Sequence, residues 1–184
     1  MTAAVILAAG SGRRMGGPKA LLRIDGETLV QRAVRIAGEA GCGPIFAVVG
    51  AWETGSLDPD VRLVRNHDAA EGMASSLRAG VGALPLETEA VLILTVDQLA
   101  VDAALLWQLL ALAAADPARP AACAYAGTLG IPAVFPRRLF PDLLALEGDR
   151  GAKAILLREN TDTLPFPEGV RDLDTPEDLD RFRR

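Results

Sequence analysis

Residues 3–22 read AAVILAAGSGRRMGGPKALL. The run Ala3 to Ala8 is continuously apolar, as expected for a strand buried on both faces of a sheet. It leads into a loop holding Gly10, Gly12, Gly16 and Gly17 with the cations Arg13, Arg14 and Lys19. Glycines let backbone N–H groups come close to a ligand because no Cβ intervenes. Successive N–H groups in such a turn form a concave anion site, and nearby arginine and lysine neutralise phosphate charge. The loop fits neither common nucleotide fingerprint. Lys19 lies between Pro18 and Ala20, so the P-loop pattern fails, and the run from Gly10 to Met15 lacks the third glycine of the dinucleotide pattern. Spacing alone leaves two readings, an anion loop after a first strand or a flexible basic surface loop.

Working outward, apolar strand-like runs alternate with helical patterns, which implies an α/β fold. Thr28 and Gln31 predict a capping box opening a helix that ends near Gly41. Ile45 to Val49 and Val61 to Val64 read as strands, and Ser75 to Leu84 as a helix. Val91 to Val96 reads as a second apolar run, interrupted only by Thr95, and suits a central strand. Asp102 caps a helix to Ala115 whose leucines cover more than one stripe, and Trp107 reads as core. Ala121 to Tyr125 and Ile131 to Phe135 read as later strands, Pro136 to Leu146 and Ala152 to Glu159 as helices. Thr175-Pro176 opens a last helix.

The 184 residues suit one domain, 1–184, with a sizeable core. The net charge of −5 argues against broad nucleic-acid binding, which needs a basic face. No apolar run is long enough to span a membrane, and the N-terminus reads as a strand rather than a secretory signal. Cys42 and Cys123 fit no metal spacing and no disulfide framework. Reduced cysteines point to the cytoplasm.

Three further segments could carry chemistry. Asp97 follows the apolar run Val91 to Val96, where ligands collect in open α/β sheets. It could bind Mg²⁺, which accepts one or two carboxylates completed by phosphates and waters, or simply end a strand at a turn. Asp172 and Asp174 precede the last helix. The helix dipole accounts for Glu177 and Asp178 but less well for these two. Residues 66–80, NHDAAEGMASSLRAG, combine small and hydroxyl groups that could meet a base edge, or form an ordinary loop with Ser75 as N-cap. His67, the one histidine, reads as an incidental loop residue.

These strings together resemble the small nucleotidyltransferases that include the molybdenum-cofactor cytidylyl- and guanylyltransferases. The resemblance implies a three-layer αβα Rossmann-like fold with a mostly parallel central sheet. It implies that Arg14 and Lys19 contact triphosphate, and that Leu7, Ala8, Ala9, Gly10 and Gly12 lie along the nucleotide with Asn66, Gly72, Ser75 and Ser76. Asp97 heads a segment, Asp97-Gln98-Leu99, similar to a family Asp-Gln-Pro motif whose aspartate binds metal; the proline is absent here. Asp174, with Asp172 second, matches the aspartate that completes the metal site. Residues 127–135 and 148–153 resemble acceptor-side loops, which gives Gly130, Pro132, Asp149, Gly151 and Lys153 as acceptor-binding; either glycine set could also be turns.

The implied reaction is Mg²⁺-dependent transfer of a nucleoside monophosphate to a phosphate acceptor, with Arg14, Lys19 and Asp97 catalytic. Leu-Ala-Ala-Gly at residues 7–10 resembles the cytidine-using branch, where the guanosine-using branch has Leu-Ala-Gly-Gly. CTP is therefore the expected donor, a molybdopterin-type cofactor the acceptor, and a molybdoenzyme a possible client. Guanylyl transfer, a sugar-phosphate acceptor and a non-catalytic nucleotide-binding chaperone remain the alternatives.

Overall fold

The computed structural model describes residues 1–12, 15–173, 175 and 178. The first apolar run forms β1 (Thr2–Leu7), and the other main strands are β4 (Ile45–Val49), β5 (Arg62–Arg65), β6 (Ala90–Thr95), β7 (Ala121–Tyr125), β8 (Thr128–Pro136) and β9 (Asp162–Pro165). A separate two-stranded hairpin, β2 (Arg23–Ile24) with β3 (Glu27–Thr28), follows the glycine loop. The sheet order is β5-β4-β1-β6-β8-β7-β9. β1 pairs in parallel with both β4 and β6, and β5 extends β4 in parallel. β8 runs antiparallel to β6 and β7, and β9 returns parallel to β7. All strands of this sheet except β8 therefore point one way, and the carboxyl ends of β1 and β6 are neighbours.

Both faces of the sheet are covered. Ala4, Ile6, Leu92 and Leu94 pack under α1 (Leu29–Glu39) and α3 (Ala103–Ala115). Val5, Leu7, Ile93 and Phe135 pack under α2 (Met73–Gly82), α4 (Phe140–Leu144) and α5 (Lys153–Arg158). Strand side chains alternate between faces, so only a chain apolar at every position can fill both layers. That is the three-layer arrangement expected from the sequence. Among the described residues, no helix is long and apolar enough to cross a membrane.

Local signals hold where they are self-contained. Thr28 Oγ1 accepts from the Gln31 N–H and Gln31 Oε1 accepts from the Thr28 N–H, completing the predicted box. Asp102 Oδ1 accepts from the Leu105 N–H at 2.8 Å.

Several expectations are corrected. α2 begins two residues before Ser75, with Gly72 at its N-cap; the Ser75 hydroxyl instead donates back to the Gly72 carbonyl at 2.8 Å. Trp107 is 62% exposed, because α3 buries Leu106 and Leu109 and turns Trp107 outward. Leucines on several sides of a helix do not reveal which side the sheet takes. Pro136 ends β8, and the predicted helix resolves into a 3₁₀ turn, Arg137–Leu139, followed by the short α4. The β2/β3 hairpin and the edge strand β9 carry no sequence pattern strong enough to predict. The final helix lies outside the described residues. Thr175 donates through its N–H and hydroxyl to the Asp178 carboxylate.

Candidate active site

The glycine loop leaves β1 at its carboxyl end. Gly12 takes φ +57°, and a Cβ there would stand 1.9 Å from the Gly17 carbonyl oxygen. The Gly12 carbonyl accepts from the N–H groups of Met15 and Gly17 at 2.8 and 3.3 Å. This tight closure demands glycine. A 3₁₀ turn, Lys19–Leu21, then returns the chain towards the sheet. Lys19 Nζ lies 3.1 Å from Asp97 Oδ2, where β6 ends. Both side chains are largely buried, 18% and 23% exposed.

Around this pair lies a cavity of about 510 Å³. Leu7, Ala8, Ala9, Gly10, Gly12, Lys19, Gly72, Ser76 and Asp97 all line it, so most of the nucleotide-side candidates are brought together. Asp149, predicted on the acceptor side, lines this cavity as well. Its Oδ1 stands 2.4 Å from where a Gly72 Cβ would be, a second place where only glycine fits. Asn66 and Ser75 do not line it. Asn66 is buried and donates from Nδ2 to Ser75 Oγ at 2.8 Å and Ser76 Oγ at 3.0 Å, tying the end of β5 to α2 beneath the cavity floor. His67 is exposed and lines neither cavity.

A second, smaller cavity of about 250 Å³ shares Leu7, Met73, Thr95 and Asp97 with the first. Gly130, Gly151 and Lys153 line it, and Pro132 is buried in β8 away from it. Asp97 therefore faces both cavities. A larger cavity, about 750 Å³, lies between α1 and residues 56–61 near the amino ends of β4 and β5. It holds neither the glycine loop nor a strand-end carboxylate.

The C-terminal acidic segment reaches the same place. The Leu173 N–H donates to the Asp97 carbonyl at 2.9 Å, and Asp172 pairs with Gln98 in an antiparallel bridge. Asp172 and Asp97 consequently line one cavity. Arg14 and Asp174 lie outside the described residues. Two carboxylates lining one cavity fit a hard divalent cation such as Mg²⁺ or Mn²⁺, whose coordination shell phosphates and waters can complete. Among the described residues, no group of three His, Cys, Asp or Glu forms a self-sufficient metal site.

Two residues in this site escape sequence reasoning. Gln98, 5% exposed, donates from Nε2 to the Tyr125 hydroxyl and the Gly169 carbonyl, each at 3.5 Å. Tyr125 donates its own hydroxyl to the Ile131 carbonyl at 3.0 Å. Its ring is wedged between glycines: a Cβ at Gly130 would lie 2.1 Å from the hydroxyl, and one at Gly169 2.5 Å from the ring. Desolvation pushes the Tyr125 phenol up, so it stays protonated as that donor. Gln98 Oε1 is buried without a hydrogen-bond partner. The available signals were slight: Tyr125 is the one tyrosine, and Gln98 directly follows Asp97.

Comparison with known proteins shows the family. The chain is 35% identical over 166 residues to nicotine blue oxidoreductase of Paenarthrobacter nicotinovorans, covering 83% of this chain and 79% of that one. It is 36% identical over 102 residues to a probable molybdenum cofactor guanylyltransferase of Opitutus terrae, covering 55% and 50%. Among solved structures, Rv0371c of Mycobacterium tuberculosis in complex with manganese superposes with a TM-score of 0.74 at 25% identity, covering 98% of this chain and 96% of that one. The MobA-like NTP transferase domain model matches residues 4–163, which include most of β1, the glycine loop, Asp97 and Lys153 but not Asp172. The chain belongs to that family and is a nucleotidyltransferase.

Proposed function

We propose that this protein transfers CMP from CTP to the phosphate of a molybdenum-bound pterin, releasing pyrophosphate, with Mg²⁺ as the metal. The observation that carries this reading is Asp97, at the end of a central strand, facing the glycine-loop cavity on one side and the Lys153 cavity on the other. A nucleotide in the first and a phosphate acceptor in the second would meet at that carboxylate. Lys19, and Arg14 by its place in the loop, would take charge developing on the leaving pyrophosphate. Lys153 would hold the acceptor phosphate. That phosphate is already ionised near neutral pH, so the reaction needs positioning and charge stabilisation and no general base. A metal on Asp97, with Asp172 or Asp174 second, would polarise the α-phosphoryl oxygen.

Ala9 lines the cavity beside β1, and a methyl there in place of a glycine hydrogen would leave less room for a purine, which supports a pyrimidine. The Opitutus relative favours GTP instead. The test compares kcat/KM for CTP and GTP with purified molybdenum-loaded pterin, then repeats it with Ala9→Gly. A methyl supplies about 1–3 kcal/mol of discrimination. Wild-type preference for GTP, or an unmoved ratio in Ala9→Gly, overturns the CTP assignment; absence of pyrophosphate release with both nucleotides favours a non-catalytic binder. The relative named an oxidoreductase motivates one control, NADH and NADPH oxidation by the same preparation.

A further inference from the structure

The contact between Lys19 and Asp97 bears on the order in which ligands enter. Asp97 is the carboxylate best placed for a metal, and Lys19 is a cation of the phosphate loop; in this structure they are bonded to each other at 3.1 Å. Both side chains are mostly shielded, so solvent screens the pair less than it would an exposed one. A divalent ion on Asp97 Oδ2 and an ammonium on the same oxygen repel each other at close range. Both backbones are tied by hydrogen bonds. Lys19 is held in its 3₁₀ turn by the Leu22 N–H on its carbonyl at 2.9 Å, and Asp97 is held by Leu173. The long lysine side chain is the more mobile partner, and a triphosphate in the shared cavity would give it another anion to reach.

We propose that Lys19 is an exchange latch. It occupies Asp97 while the cavity is empty, and nucleotide phosphate draws it away and releases the carboxylate to metal. Metal therefore binds poorly to the empty site and enters with the nucleotide. By linkage, metal must tighten nucleotide binding by the same factor by which nucleotide tightens metal binding. This inference rests on the nucleotidyltransferase reading of the cleft, with Asp97 as a metal ligand.

The sign of the effect separates the latch from simpler roles. A lysine that only binds phosphate leaves metal binding to the empty site unchanged when removed. A lysine that holds Asp97 ready for metal weakens it. A latch strengthens it. Mn²⁺ binding would be followed by electron paramagnetic resonance in wild type, Lys19→Met and Lys19→Gln, with and without CTP or GTP, against protein-free nucleotide titrations. Lys153→Met, which removes a cation elsewhere in the cleft, reports the general field effect. The expected result is Mn²⁺ affinity for the empty site raised about fivefold or more in both Lys19 variants, with nucleotide-induced tightening reduced. Lys153→Met should stay within about twofold of wild type. Unchanged or weaker metal binding in the Lys19 variants overturns the latch, as does an equal gain in Lys153→Met. If Asp97→Asn leaves Mn²⁺ binding in the nucleotide complex untouched, the metal-ligand reading itself fails, a result the Lys19 series cannot mimic.

Discussion

The backbone N–H of Leu173 donates to the backbone carbonyl of Asp97 at 2.9 Å. This bond fixes the C-terminal segment against the end of β6 without using the Asp97 side chain. The carboxylate is left for Lys19 and for ligands. Structure and chemistry at this position can therefore be separated by mutation.

Asp97→Asn should keep the fold and lose the chemistry. The strap to Leu173 is a backbone bond and survives. Turnover should fall by about 10²–10³-fold, in the range seen when one group stabilising transition-state charge is removed. Thermal denaturation and metal-dependent pyrophosphate release measure the two halves. Normal metal-dependent turnover would remove Asp97 from the mechanism.

Gly12→Ala should disrupt the nucleotide loop, since its Cβ would collide with the Gly17 carbonyl at a positive φ. A Cβ at Gly10 meets nothing within 4 Å, so Gly10→Ala should leave the loop conformation intact. Nucleotide titration of the two variants provides the contrast. Equal losses would mean that cavity space, not loop closure, is what matters.

Gly80→Ala reverses a local rule. Within a helix, alanine is favoured over glycine by about 1 kcal/mol. Here the new Cβ would come 2.4 Å from Val5 Cγ1 and 2.9 Å from Val48 Cγ2. Overpacking of that kind costs about 1–3 kcal/mol, and the net change in denaturant unfolding should be destabilising. Increased stability would show that α2 can lift off the sheet.

Tyr125→Phe removes the donor to the Ile131 carbonyl and an acceptor for Gln98. Stability should fall by about 1 kcal/mol. Because the pair lines the Lys153 cavity, KM for the acceptor should rise while KM for nucleotide stays level. A rise in nucleotide KM alone would assign Tyr125 to the other side of the cleft.

Cys42 and Cys123 are buried, and desolvation pushes both thiols up to about 12. Below about pH 9 both are protonated in folded and unfolded chains alike. Above it the unfolded chain ionises first, so this contribution to stability is lost as pH rises from about 9 to about 12. In the native protein at pH 8 both thiols should react with a thiol reagent far more slowly than in guanidinium. Rapid native labelling would mean that these packing layers open readily.

The sequence by itself determined whatever a few neighbouring residues decide. The doubly apolar runs of β1 and β6, the Thr28–Gln31 box and the Asp102 cap are set by side chains within one turn or one strand, and a strand-end aspartate in an α/β pattern marks the ligand edge. Only the tertiary structure decided what lies across that edge. Lys19 meets Asp97 across 78 positions, because β1 and β6 became neighbours in the sheet. The outward turn of Trp107, the crowding at Gly80 and the wedging of Tyr125 between Gly130 and Gly169 depend likewise on which surfaces meet. Such contacts follow from strand order and layer packing, and these arise from burial summed over the whole chain, which no local pattern of residues records.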